Sequence, residues 1–215
     1  MYNNFKTQKG FTLIEIAIVL VIIGLLLGGM LKGQELITNT RVKRIINDFN
    51  SISAAVLSYQ DRYNATPGDD ANAASRFAAP ANINGGGNGT LAGNWDDAAG
   101  TTSESRLFWL HLRASGLIAG STTGGVTGAG GNQPGNAYGG IIGADDDNMG
   151  LTGIVVCQGN IPEDIAALVD NQIDDGVSNT GRLLAATGAT SNAAAATAGL
   201  YTAGNTAVTT ICKVM

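Results

Sequence analysis

The stretch Lys9-Gly10-Phe11-Thr12-Leu13-Ile14-Glu15-Ile16, continued by AIVLVIIGLLLGGML over residues 17–31, decides how this 215-residue chain is read. From Ile16 to Leu31 no residue carries a polar side chain, and back to Phe11 only Thr12 and Glu15 interrupt the apolar run. As a helix these positions extend about 30 Å, the thickness of a bilayer's hydrocarbon core, so the reading is a membrane-spanning helix. The preceding residues, MYNNFKTQKG, carry Lys6 and Lys9 and no acid, so the positive-inside bias keeps this end cytoplasmic and sends the rest outward. An ordinary secretory signal does not fit, because no small-x-small triplet follows the apolar run before Lys32 and Gly33. The expectation is a single-pass protein that keeps its apolar helix.

The junction KGFTLIE, Lys9 to Glu15, resembles the processing site of type IV pilins and of their relatives, the pseudopilins of type II secretion; the strong part of the match covers residues 6 to 35. The resemblance implies that a prepilin peptidase cuts after Gly10 and methylates the new amine of Phe11, and that Glu15, fifth after the cut, serves assembly. It divides the chain into a removed leader (1–10), an N-terminal helix (11–63) and a globular head (64–215). The helix has a membrane and filament-core half, 11–32, and an amphipathic half, 33–63. The partners implied are further copies in a homopolymeric filament, the prepilin peptidase, and a pilus or secretion assembly platform. The inner membrane holds the subunit before assembly, and an extracellular or periplasmic filament holds it afterwards. Physics marks Glu15 independently. A carboxylate inside an apolar span is expensive and persists where it finds a partner. The first turn's dipole favours its charge, and the α-amine of Phe11 on a neighbouring copy is an available partner in a low-dielectric bundle. The alternative is that Glu15 lies at the interface and reaches the headgroups.

The helix continues past the membrane. Val42, Ile45/Ile46, Phe49, Ile52, Val56, Tyr59 and Tyr63 recur at the period of one amphipathic helical face, and the first proline is Pro67. A helix from about Phe11 to Tyr63 is roughly 80 Å long. Many filament-forming pilins carry a proline in the membrane half; this chain has Gly24, Gly28, Gly29 and Gly33 instead, which fit either local softening or close helix contacts.

Past Tyr63 the composition changes. Pro67-Gly68 is a turn signal, and residues 81–160 hold 20 glycines, which reads as long surface loops, with disorder the competing reading for 119–140. A helix is expected at 103–113, with Ser103 as its cap and Gly116 closing it. Strands are expected at 151–157 and 207–214, with a helix between them from Pro162 to about Ile173 and Pro162 in its first turn. The arrangement resembles the pilin head and makes the fold class α+β: a long N-terminal helix on a small antiparallel β-sheet with long Gly-rich loops. Cys157 and Cys212, the only cysteines, both fall on the exported side, so one disulfide follows; free thiols in the cytoplasm would contradict the topology.

Acidic pairs raise the question of calcium, which takes six to eight oxygens. By analogy with pseudopilins that hold calcium in a C-terminal loop, Asp174, Asp175 and Asn179 are the candidates, and turn formation and solvation explain the same residues without an ion. No other cofactor is indicated. His111, the one histidine, reads as a surface or hydrogen-bonded side chain rather than a general base, so no enzyme is expected. A formal charge of −5 with no basic stripe argues against a nucleic-acid partner. NGGGNGT lacks the Lys-Ser/Thr of a phosphate loop, and the sequons at Asn64 and Asn88 have high background. The reading is a structural pilus-type subunit. The alternatives are a secretion pseudopilin and a monomeric, membrane-tethered binding module.

Overall fold

A computed structural model describes residues 10–77, 83–188, 196–202 and 207–215. The leader residues before Gly10, with Lys6 and Lys9, lie outside the described residues. Helix α1 runs Leu13–Tyr63, as the apolar run and its amphipathic continuation require. The chain forms two compact units, Met1–Thr40 and Arg41–Met215, and α1 contributes to both. In the first unit the apolar side chains from Leu13 to Leu31 are exposed and have no core to enter. An apolar helix of this kind requires lipid or other helices around it.

In the second unit α1 is half-buried along one stripe. Val42, Ile45, Phe49, Ile52, Val56 and Tyr59 are buried, and Ala55 joins them. Each fully buried side chain of this size contributes about 2 kcal/mol. Asn64 stops the helix: it takes the left-handed conformation, φ 49°, while its N–H still donates to Gln60 O at 2.8 Å. Asparagine tolerates that conformation. A one-turn helix α2, Ala73–Arg76, follows the Pro67-Gly68 turn.

The stripe packs on a four-stranded sheet of β1 (Ile142–Asp146), β2 (Ile154–Pro162), β3 (Leu183–Thr187) and β4 (Val208–Val214). Its order is β1-β2-β4-β3 with every pair antiparallel, so the strand nearest the chain terminus lies in the middle. Ile142, Ala144, Val156, Leu183, Ala185 and Ile211 meet the α1 stripe in one cluster, and helix α4 (Glu163–Ile173) adds Ile165, Ala166 and Val169. Helix α3 (Glu104–Ala114) adds Phe108, Trp109 and Leu112. On the other face Trp95, Leu151, Val155, Leu184 and the two cysteines form a second cluster. This is the α+β arrangement that the resemblance implied.

Several expectations for the head need correction. The strand expected at 151–157 begins at Ile154 and runs to Pro162, because Met149, Gly150 and Gly153 all take positive φ and hold the approach to it in a turn. Pro162 ends that strand and is the N-cap of α4, one position before the first turn expected for it. Ser103 is the N-cap of α3 but makes no side-chain capping bond. Strands β1 and β3 were not expected. The segment 119–140 is neither disordered nor wholly surface loop: Gly125–Thr127 and Ala129–Gly131 form 3-10 turns with Val126, Gly130 and Gly131 buried. Arg113 holds them by donating to the carbonyls of Gly130 and Asn132.

Candidate functional site

The chain reaches α1 through Gly10 and Phe11, both exposed, with Phe11 86% accessible. Thr12 is the residue before the helix, and Glu15 is the third residue inside it. The Thr12 N–H donates to Glu15 Oε2 at 2.7 Å and the Thr12 hydroxyl donates to the same oxygen at 2.6 Å. In return the Glu15 N–H donates to Thr12 Oγ1 at 3.3 Å. This reciprocal pair is a capping box, which satisfies backbone donors that the first helical turn leaves open. The sequence reading gave Glu15 a dipole and a partner but missed the cap, although its signature, Thr-x-x-Glu before an apolar run, stands in Thr12-Leu13-Ile14-Glu15. Phe11, Glu15, Ile16, Ile18 and Val19 line one shallow groove beside it. The cap therefore fixes the carboxylate within one turn of Phe11, on a helix face that is otherwise apolar.

Cys157 and Cys212 are directly opposed partners in the β2–β4 pair and are joined by a disulfide, both fully buried. The bond lies on the sheet face away from α1, against Trp95 and Leu184. It ties the last strand to β2 at the centre of the sheet.

The acidic residues considered for calcium lie where α4 ends. Asp170, Asp174 and Asp175 each place a carboxylate oxygen within 4.8 Å of the others, and Asp170 is the member that sequence reasoning left out. The signal was its place one turn before Asp174, the C-cap of α4, whose N–H donates to Asp170 O. All three have protein partners. Asp170 accepts from Tyr201 and Gly176 N–H, Asp174 from the N–H groups of Arg182 and Leu183, and Asp175 from Val177 N–H and the Thr180 hydroxyl. Burial pushes the Asp170 carboxyl above the usual range against the pull of those donors, while the Thr180 hydroxyl holds exposed Asp175 below it. Asn179 is exposed in the turn that follows. The three carboxylates at the end of α4 are thus already bonded to the following turn, to the start of β3 and to Tyr201, which accounts for their placement without an ion.

His111 is fully buried, not a surface residue. Its Nδ1 accepts Gly68 N–H at 2.8 Å and its Nε2 faces Ile83 O at 2.5 Å, while its ring stacks on Tyr59 with centroids 6.0 Å apart. Burial lowers its pKa, opposed by the bond to Ile83 and by Asp70. It joins Tyr59 of α1 and its own helix α3 to Gly68 and Ile83. Glu104, the acid nearest it on α3, has both oxygens committed to Gly86 N–H and Ala92 N–H.

No curated protein and no solved structure matches this chain. Residues 5–31 match the family model of the prokaryotic N-terminal methylation motif. With Gly10, Phe11 and Glu15 inside the matched residues, this chain carries the prepilin motif of type IV pilins and pseudopilins.

Proposed function

We propose that this chain is a structural subunit of a type IV pilus-like filament. A prepilin peptidase cuts it after Gly10 and methylates Phe11. The inner membrane holds it by residues 11–32, with its start on the cytoplasmic side, until it polymerises through α1. The observation that carries this reading is the exposed apolar surface from Leu13 to Leu31, which begins with a capped carboxylate and belongs to the matched motif. Such a surface is stable only against lipid or other apolar helices, and transfer from one to the other leaves its burial nearly unchanged. Glu15 Oε2 is committed to Thr12, and the second oxygen of the same carboxylate is the acceptor for the Phe11 amine of a neighbouring copy. That pairing gives each incoming subunit a register, and a head-to-tail contact that does not close repeats into a filament. The same parts serve a pseudopilin, and the abundance of surface filaments separates the two.

The test is Glu15→Val. The variant is expected to remain in the membrane and to be cut after Gly10, while filament growth stops; filaments of normal length and number would remove Glu15 from assembly. A mature mass that begins at Met1 would reject the filament reading in favour of a monomeric tether.

A further inference from the structure

The turn that follows α1 and the loop around Gly87 and Gly89 enclose an open cavity of about 380 Å³ on the head, lined by Asn64, Thr66, Asp69, Asp70, Asn72 and Arg76. That size lies within the range of small-molecule sites. Its two carboxylates are buried and engaged by the protein. Asp69 accepts the N–H groups of Asn88 and Gly89, one on each oxygen. Asp70 accepts Asn72 N–H on Oδ1, and on Oδ2 both the Tyr59 hydroxyl and the Arg76 guanidinium.

The three uncharged polar side chains of the lining have no partner in the protein and face solvent, Asn64 and Asn72 exposed and Thr66 half-buried. The amides of Asn64 and Asn72 and the hydroxyl of Thr66 make no hydrogen bond among the described residues. For Asn72 this is notable, because it is the N-cap of α2, where an asparagine ordinarily accepts a bond from its own helix. Around the cavity, then, stand two amides and a hydroxyl, each able to donate and accept.

Charge decides what such a lining takes. An anion would meet two carboxylates. A hard cation would meet the guanidinium of Arg76 and carboxylate oxygens already occupied by N–H and O–H donors. A neutral ligand rich in hydroxyl groups meets neither penalty and can replace the water at these solvent-facing donors and acceptors with bonds of its own. We propose that this cavity binds a neutral sugar. The proposal is independent of the filament reading, since every residue it uses lies in the second compact unit, outside the apolar half of α1.

The test uses the full chain in detergent micelles. Glucose, galactose, mannose and N-acetylglucosamine are the probes, followed by saturation-transfer NMR and titration, with sodium phosphate and calcium chloride as charged controls. The double variant Asn64→Gly/Asn72→Ala removes both amides while glycine keeps the left-handed backbone at position 64, so its melting temperature is expected to stay within about 2 °C of the wild-type value. At least one sugar is expected to bind the wild-type protein, and the double variant to bind it about tenfold more weakly, the loss of one to two hydrogen bonds. Absence of binding by all four sugars, equal binding by the double variant, or saturable binding of phosphate or calcium that the double variant weakens would each overturn the proposal.

Discussion

Acid should loosen the head of this protein through His111. Because its Nδ1 accepts Gly68 N–H, that nitrogen carries no proton, and Nε2 donates to Ile83 O; the buried ring is the neutral imidazole. A second proton would set an N–H against the N–H of Gly68. Burial lowers the folded pKa from the ordinary 6.5, and nearby Asp70 and Arg76 act in opposite directions on it. The unfolded chain therefore binds the proton first. The stability this residue contributes is fully present above about pH 6.5 and is lost as pH falls toward the folded value. Between about pH 7.5 and 5.5 the unfolded imidazole's titration sets a ceiling of about 1.4 kcal/mol on the loss. Buried Asp145 and Asp170 and half-buried Asp48 and Asp146 oppose it: burial raises their pKa values, so they bind protons more readily when folded and gain stability in acid. They are present equally in His111→Gln, whose amide offers an acceptor and a donor but does not titrate. Urea unfolding of both proteins across that pH interval, in one detergent, isolates the imidazole. Wild type is expected to lose more stability than the variant as pH falls, by up to about 1.4 kcal/mol. Parallel pH curves would refute the neutral, bonded imidazole.

Reduction of Cys157–Cys212, which closes a separation of 55 residues, is expected to remove about 4 kcal/mol of stability; a thermal melt unchanged by dithiothreitol would contradict it. Gly143→Ala would place a Cβ 1.8 Å from the Trp95 carbonyl oxygen, and about 1–3 kcal/mol of destabilisation is expected by urea unfolding, with wild-type stability the contrary result. Because Asp170, Asp174 and Asp175 already accept hydrogen bonds from the protein, calcium is expected to move the melting temperature by less than about 1 °C; a rise of several degrees that Asp174→Asn abolishes would assign the ion there.

The N-terminal helix was legible because its signals are local. An unbroken apolar run needs no tertiary partner to be recognised, and the stripe from Val42 to Tyr59 is a periodicity written in order along the chain. The helices α3 and α4 and the terminal strand were legible for the same reason. Strand β1 was not. Ile142-Gly143-Ala144-Asp145-Asp146 reads as an acidic turn, and Asp145 enters a strand only because Trp95 N–H and the Asn148 amide meet its carboxylate there. Strand β3, Leu183–Thr187, is five residues with two alanines, too short and too weak in β-propensity to stand out until β4 pairs with it.

At the candidate site the division runs the same way. The junction at Gly10, the amine-bearing Phe11 and the acid at Glu15 could be named from spacing, and even the overlooked cap lies within four consecutive residues. His111 could not be placed, because its partners Gly68 and Ile83 are 43 and 28 residues away, and only the fold brings them to one ring. The chain order alone settled that residues 11–31 form an apolar helix of membrane length bearing one acid, since hydrophobicity and periodicity are properties of neighbours along the backbone. Which strand fills the middle of the sheet, which acids share a loop with Asp174, and which polar groups are left open beside Arg76 were decided by contacts between distant segments, where burial and hydrogen bonding choose among partners that no local pattern ranks.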